Sequence, residues 1–230
     1  MPGHKSSRIY LIRHGHSTAN AKSILAGRDP KVSLTPNGIA QAESLANSLA
    51  DISFAKIYSS PLPRCLETVA PIVRARANAK VEKLPGVIEM DYGKWSGKKL
   101  AALSKLSLWK TIQNRPSLVR FPDGESFLEM SDRAFAAVRG AAIGGKNILI
   151  CSHGDVIKSI ISSALGSNFD NFQRISVDPA SISIIEISGD SSRVISVNGT
   201  AHLIKTLSNA KPGRSSRNYL LGGGSGEKAK

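Results

Sequence analysis

Apolar residues along this chain follow two different periods. Ile9 to Ile12, Ala55 to Tyr58 and Asn147 to Cys151 are short apolar runs bounded by polar residues, the length and composition of buried strands. Between them apolar positions recur at helical spacing: Ile39, Ala42, Leu45, Ala46 and Leu49, then Leu66, Val69, Ala70 and Val73, then Phe127, Met130, Ala134, Val138 and Ala141. Thr35 and Pro36 supply an N-cap and a first helical residue for the first of these. Strands alternating with helices predict an α/β domain, a parallel sheet covered by helices on both faces. Near the end, SISIIEIS (Ser181 to Ser188) and RVISVNG (Arg193 to Gly199) flank Gly189-Asp190 and predict a hairpin that adds edge strands to that sheet.

No repeat or linker interrupts residues 1–210, which read as a single domain. Within it, 93–124 is the least regular stretch and is expected to form short helices and a lid or subdomain. Residues 211–230 hold five Lys/Arg against one Glu among many Gly and Ser, the composition of a flexible basic tail.

The chain of 230 residues is 41% hydrophobic, enough to build a substantial core. No stretch reaches the roughly 20 apolar residues of a membrane span, and MPGHKSSR lacks the apolar centre of a signal peptide, so a cytoplasmic protein is expected. Cys65 and Cys151 follow no metal or redox spacing and sit in apolar surroundings, where reduced thiols act as small hydrophobes. The net charge of +14 favours an anionic partner. The basic residues outside the tail are scattered, without a Lys/Arg run interleaved with aromatics, which argues against nucleic acid and leaves acidic lipid and a phosphorylated metabolite open. Oligomeric state is open, a homodimer among the options.

Two of the strands end alike. RIYLIRHG and NILICSHG each run into a polar residue, a histidine and a glycine. Ligands of doubly wound sheets sit beyond the carboxyl ends of the strands, so parallel strands ending in His14 and His153 would present both imidazoles at one crevice. Gly15 and Gly154 would let the backbone turn and approach a ligand closely. DVIKSIISSAL after Gly154 reads as a helix whose first amides favour an anion. A third strand leads into SSPLPRCLETV and brings Arg64 toward the same end. Arg13 and Arg64 are fork-shaped, permanently charged donors that match phosphate oxygens.

These segments resemble a known family. Arg13-His14-Gly15 after a strand, Leu34-Thr35-x-x-Gly38-x-x-Gln41-Ala42, Ser59-Ser60-Pro61-Leu62-x-Arg64, Glu89-x-x-Tyr92-Gly93-x-Trp95-x-Gly97 and Ser152-His153-Gly154 occur in the order of the histidine phosphatase (phosphoglycerate mutase-like) superfamily. The resemblance spans roughly residues 9–160 and implies a three-layer α/β sandwich with a mostly parallel central sheet. It implies that His14 is a nucleophile that becomes phosphorylated, that His153 stabilises the transferring phosphoryl group, and that Glu89 is the acid and base. It further implies that Arg13 and Arg64 clamp the phosphate, with Gly15 (through its backbone), Ser17 and Asn20 as additional phosphate-binding positions. No cofactor and no metal are implied.

Asp91, Glu125 and Asp155 compete with Glu89 for the acid/base position. His16 stands where many members of the family carry Glu. Strand alternation would put it on the face of His14, which opens a metal-site reading, but no carboxylate or Cys nearby in sequence completes a ligand set. It is expected in the loop beyond the strand, adjusting the pocket. The activity implied is metal-independent hydrolysis of a small phosphate monoester through a phosphohistidine. A phosphoglycerate mutase-type phosphomutase is the nearest alternative, although EMDYGKWSG looks more like the phosphatase branch. A non-catalytic module binding a phosphorylated ligand or nucleic acid is a third reading.

Overall fold

The computed structural model describes residues 5–199; the predicted tail at 211–230 and the end of the predicted domain lie outside them. In chain order the elements are β1 (Ser7–Arg13), α1 (Thr18–Ala21), α2 (Pro36–Ser48), β2 (Lys56–Ser59), α3 (Pro63–Arg74) and β3 (Val81–Lys83). There follow α4 (Leu100–Leu103), α5 (Ser107–Asn114), α6 (Phe127–Ala141), β4 (Asn147–Ser152), α7 (Gly154–Leu165), β5 (Ile182–Ser188) and β6 (Ser191–Gly199). The strands form one sheet in the order β3-β2-β4-β1-β5-β6. The first four are parallel, whereas β5 runs antiparallel to β1 and β6 antiparallel to β5. None of the described helices is long and apolar enough to cross a membrane.

Both faces of the sheet are covered, and strand alternation divides the core in two. Ile9 and Leu11 of β1 face α6 and α7, where they meet Met130, Ala134, Ile157 and Ile160. Tyr10 and Ile12 face α2 and α3, where they meet Leu45, Leu49, Val69 and Ile72. This is the mostly parallel three-layer arrangement that the pattern and the resemblance predict. Helix ends follow local chemistry: the Thr35 hydroxyl accepts the Gly38 amide at 3.1 Å, and Ser126 and Glu129 cap α6 reciprocally.

Three expectations are refined. The hairpin forms, but of its two strands β6 alone lies at an edge; β5 lies inside the sheet, and its inner residues Ile182, Ile184 and Ile185 are as buried as those of β1. The short β3 was not predicted, because three exposed residues carry no alternation to read. The irregular stretch at 93–124 contributes Trp95, Leu103, Ile112, Val119 and Phe121 to the same buried cluster as α6 and α7, so its apolar side chains share the main core.

The turn after β1 is held by close backbone contact with α2. A Cβ at Gly38 would lie 2.1 Å from the His16 carbonyl oxygen, and one at Gly15 would lie 2.7 Å from the carbonyl oxygen of Gly38. Gly38→Ala should therefore lower stability by about 1–3 kcal/mol through overpacking, measured by urea denaturation. A change inside the scatter of surface substitutions would show that the two segments can part freely.

Candidate active site

The site begins with a strand register. Arg13 of β1 pairs with Ser152 of β4, so the next residues, His14 and His153, leave the sheet side by side. Alternation turns both imidazoles toward the α2/α3 layer, with ring centroids 5.3 Å apart, and turns Arg13 the other way, toward α7. Helix α3 follows β2 directly and carries Arg64 in its first turn, fully buried between the layers. Glu89 arrives from the segment after β3. Together Arg13, His14, Arg64 and Glu89 line a cleft of about 390 Å³ at the carboxyl end of the parallel strands. Ser17, Asn20, Tyr92, Gly154, Asp155 and Lys158 form more of its wall.

His14 is held in one orientation. Its Nδ1 lies 2.8 Å from the Gly15 carbonyl oxygen, an acceptor, which assigns the proton to Nδ1 and leaves the Nε2 lone pair free. Burial, followed by the charges of Arg64 and Arg13, lowers its pKa from 6.5 to about 3, so the ring is neutral near pH 7. A neutral, fixed imidazole beside two guanidinium groups can attack an electrophile carrying negative oxygens.

The arginines present donors to the same space. Arg13 Nη1 donates to the Val177 carbonyl at 2.6 Å, and Arg64 Nη2 donates to the Gly27 carbonyl at 2.8 Å. Arg13 Nε, Arg64 Nε and Arg64 Nη1 are buried without a hydrogen-bond partner among the described residues. A buried guanidinium whose nearest carboxylate oxygen, Glu89 Oε2, is 3.9 Å away is costly unless an anion comes to meet it. Helix α7 starts at the same place, and a Cβ on Gly154 would lie 3.4 Å from Arg13 Nε. Its amino-terminal amides add to the preference for an anion.

His153 is fully buried, behind the cleft wall. Its Nε2 lies 2.7 Å from Ser60 Oγ and its Nδ1 lies 3.6 Å from Glu89 Oε2. Ser60 Oγ also accepts the Leu62 amide at 3.4 Å, and its second lone pair or its own proton can meet Nε2. Burial, and then Arg64, hold its pKa well below 6.5. The Cys65 thiol sits 3.5 Å from the same ring; Cys65 and Cys151 are both free and buried.

Among the four competing acidic residues, Glu89 alone brings its carboxylate to Arg64 and His153. Burial raises its pKa from 4.5 to about 7 against the opposing pull of Arg64, with Asp155 adding to the rise. Such a group exchanges a proton near neutrality. Asp155 lines the cleft but accepts the Tyr92 hydroxyl at 2.7 Å and pairs with Lys158 at 3.3 Å. Asp91 accepts the Gly93 amide and faces Arg28, and Glu125 joins Arg28 and Arg133.

Ser17 and Asn20 both reach the cleft, joined as a capping box on α1. Asn20 Oδ1 accepts the Ser17 hydroxyl and amide, so its Nδ2 has no partner among the described residues. Gly15 is placed differently from the expectation. Its amide donates to Thr68 Oγ1 at 3.0 Å, away from the cleft, and its small size serves the contact with Gly38. His16 also departs. Its amide donates to Gln41, and its ring Nδ1 lies 3.0 Å from Thr35 Oγ1, at the start of α2. It therefore does not line the cleft or share a ligand set with His14. Among the described residues no group of three or more His, Cys, Asp or Glu is arranged to hold a metal ion. Thr68, Arg28, Arg133 and Lys158 were not singled out from the sequence. Ser60 and Tyr92 were visible only as letters in motifs.

The family model described as the histidine phosphatase superfamily (branch 1) matches residues 9–200. A putative phosphoserine phosphatase 2 from Hydrogenobacter thermophilus is 29% identical over 200 residues, 85% of this chain and 97% of that protein. A 2,3-bisphosphoglycerate-dependent phosphoglycerate mutase from Thermoplasma acidophilum is 31% identical, over 77% of this chain and 86% of its own. Among solved structures, phosphoserine phosphatase from Entamoeba histolytica in complex with 3-phosphoglyceric acid superposes with a TM-score of 0.76. It is 27% identical, over 86% of this chain and 99% of that one.

The raised pKa of Glu89 carries a stability consequence. The unfolded chain loses this proton near pH 4.5 and the folded chain near 7, so the group's contribution is full below about 4.5 and is lost as pH rises through 7. Glu89→Gln should accordingly raise Tm relative to the parent protein at pH 8.5 and leave the difference near zero at pH 4. An equal difference at both pH values would mean that Glu89 is not held neutral.

Proposed function

Because the chain belongs to the histidine phosphatase superfamily, branch 1, we propose that it hydrolyses phosphate monoesters of small metabolites through a phosphohistidine at His14. The observation that carries this reading is the free Nε2 of a neutral His14 on the floor of a cleft whose unpartnered buried donors belong to Arg13 and Arg64. Phosphoryl transfer asks little of a protein beyond positioning and charge stabilisation, and this arrangement is suited to both.

In the first step His14 Nε2 forms a bond to phosphorus as the bond from phosphorus to the ester oxygen breaks. Arg13 and Arg64 take the charge on the non-bridging oxygens, aided by Asn20 Nδ2 and the start of α7. Glu89, protonated below about pH 7, gives its proton to the departing alkoxide. In the second step the Glu89 carboxylate accepts a proton from water as the water attacks phosphorus, and the N–P electron pair returns to His14. His153, its Nδ1 3.6 Å from Glu89 Oε2, adds the dipole of its ring beside the acid.

Phosphoserine is the substrate class we favour. The cleft is small, and its rim offers Lys158 to a carboxylate and Asp155 or Asp178 to an ammonium group. The names of two relatives point the same way. The similarity to a phosphoglycerate mutase keeps isomerisation as a second reading. Assays with phosphoserine, and with 3-phosphoglycerate plus its bisphosphate primer, separate them. Hydrolysis of the first, with negligible isomerisation of the second, is expected; the reverse would replace this assignment with a mutase.

His14→Ala should lose nearly all turnover and the acid-labile phosphoenzyme together, read by rapid-quench labelling and phosphate release. Turnover that survives this change would rule out the covalent route and favour a binding role for the cleft. On an alkyl phosphate kcat should fall as pH rises above about 7, because Glu89 loses the proton it donates. His14, at about 3, should add no limb above pH 4. A rate that stays level to pH 9 would remove Glu89 as the acid.

A further inference from the structure

An ion cluster lies directly behind Glu89, away from the cleft. Glu125, just ahead of α6, accepts three hydrogen bonds on Oε1: from Arg28 Nη2 at 3.0 Å, Arg133 Nη2 at 2.6 Å and the Asp91 amide at 2.8 Å. Its Oε2 accepts Arg133 Nε at 2.9 Å. Both guanidinium groups then converge on the main-chain carbonyl of Glu89, from Arg28 Nε at 3.0 Å and from Arg133 Nη2 at 3.1 Å. Arg133 Nη1 also holds the carbonyls of Gly86 and Ile88, at 2.8 and 2.9 Å. The neighbour of Arg28, Gly27, accepts Arg64 Nη2, so the cluster is tied to the phosphate-facing arginine as well.

The Glu89 side chain itself has little to orient it. Among the described residues its one hydrogen bond is accepted from the amide of the next residue, Met90, at 3.0 Å, and its nearest charged partner is Arg64 at 3.9 Å. A close ion pair would fix the carboxyl firmly but would also keep it ionised and unable to donate. Anchoring the backbone leaves the carboxyl neutral, and Glu125 offsets the two guanidinium charges that do the anchoring.

We propose that Glu125 is a positioning residue for proton donation: through Arg28 and Arg133 it fixes the main chain at Glu89 so that the carboxyl meets the leaving oxygen. This rests on the reading of Glu89 as the acid. In the phosphorylation step a purely structural staple would slow every substrate alike, whereas a misplaced acid slows only those whose leaving group needs a proton; the water attack that follows, with Glu89 as base, is common to all of them.

The test compares phosphoserine, an alkyl ester, with 2,4-dinitrophenyl phosphate, whose leaving group departs without protonation. For Glu125→Gln, the rate of phosphoenzyme formation from phosphoserine, read by rapid quench, should fall about tenfold to a hundredfold, within the range general acid catalysis supplies. The dissociation constant of phosphoserine and the rate of phosphoenzyme formation from the aryl ester should each change by less than about threefold. Arg28→Met removes one arm at a half-exposed position, so it keeps the comparison available if Glu125→Gln fails to fold; it should show the same selective loss, smaller in size. Equal losses on both esters, or none on either, would overturn the proposal. Glu89→Gln separates the two levels of inference. If it too lacks the difference between esters, the assignment of the acid fails; if it shows the difference and Glu125→Gln does not, only the positioning role fails.

Discussion

The parallel pairing that sets Arg13 opposite Ser152 is the constraint on which the rest of the site depends. Two strands that run in the same direction end at the same edge of the sheet, and equal register makes their next residues neighbours. His14 and His153, 139 positions apart in the chain, are joined by six register pairs of backbone. A slip of one residue would send one imidazole to the α6/α7 layer and Arg13 to the α2/α3 layer. Two separate buried clusters on the two faces of the sheet hold the register against that slip, since each apolar strand residue has only one layer to which it belongs.

Around those two rings the protein maintains charges that a simple core would reject. Arg64 is fully buried, two histidines are kept neutral by burial and by the arginines, and a carboxyl group is kept from ionising until about pH 7. Each of these is a local cost that the surrounding packing offsets. Their sum is a cleft lined by buried guanidinium donors without partners among the described residues, an environment suited to an anion. The same burial that lowers the pKa of His14 raises that of Glu89, so one physical cause leaves an imidazole neutral and a carboxyl able to hold its proton near pH 7.

The elements were legible where periodicity was strong. Helices α2, α3, α6 and α7 and strands β1, β2 and β4 follow apolar patterns that fit only one secondary structure each. The position of β5 inside the sheet was not legible, because a hairpin pattern says which strands pair with each other but not which of them also meets β1. Strand β3 is three exposed residues long, too short to carry a pattern. At the site, Arg13, His14, Arg64, Glu89 and His153 were identifiable from motifs, yet the motifs were silent about direction. Gly15 turned its amide to Thr68, and His16 turned its ring to Thr35, because backbone contact with Gly38 fixes the path of the loop they occupy.

By itself the sequence determined the fold class, the covalent neighbours of each reactive group and the residue types available for phosphoryl chemistry, since these depend on local propensity and on the identity of side chains. Tertiary structure alone decided which nitrogen of His14 is free, which of four acidic residues stands beside Arg64, and how the main chain of Glu89 is held. Those outcomes rest on burial and on hydrogen bonds between segments far apart in the chain. Dielectric surroundings and partner distances belong to the folded arrangement, and neither exists in the order of residues until the chain has closed around them.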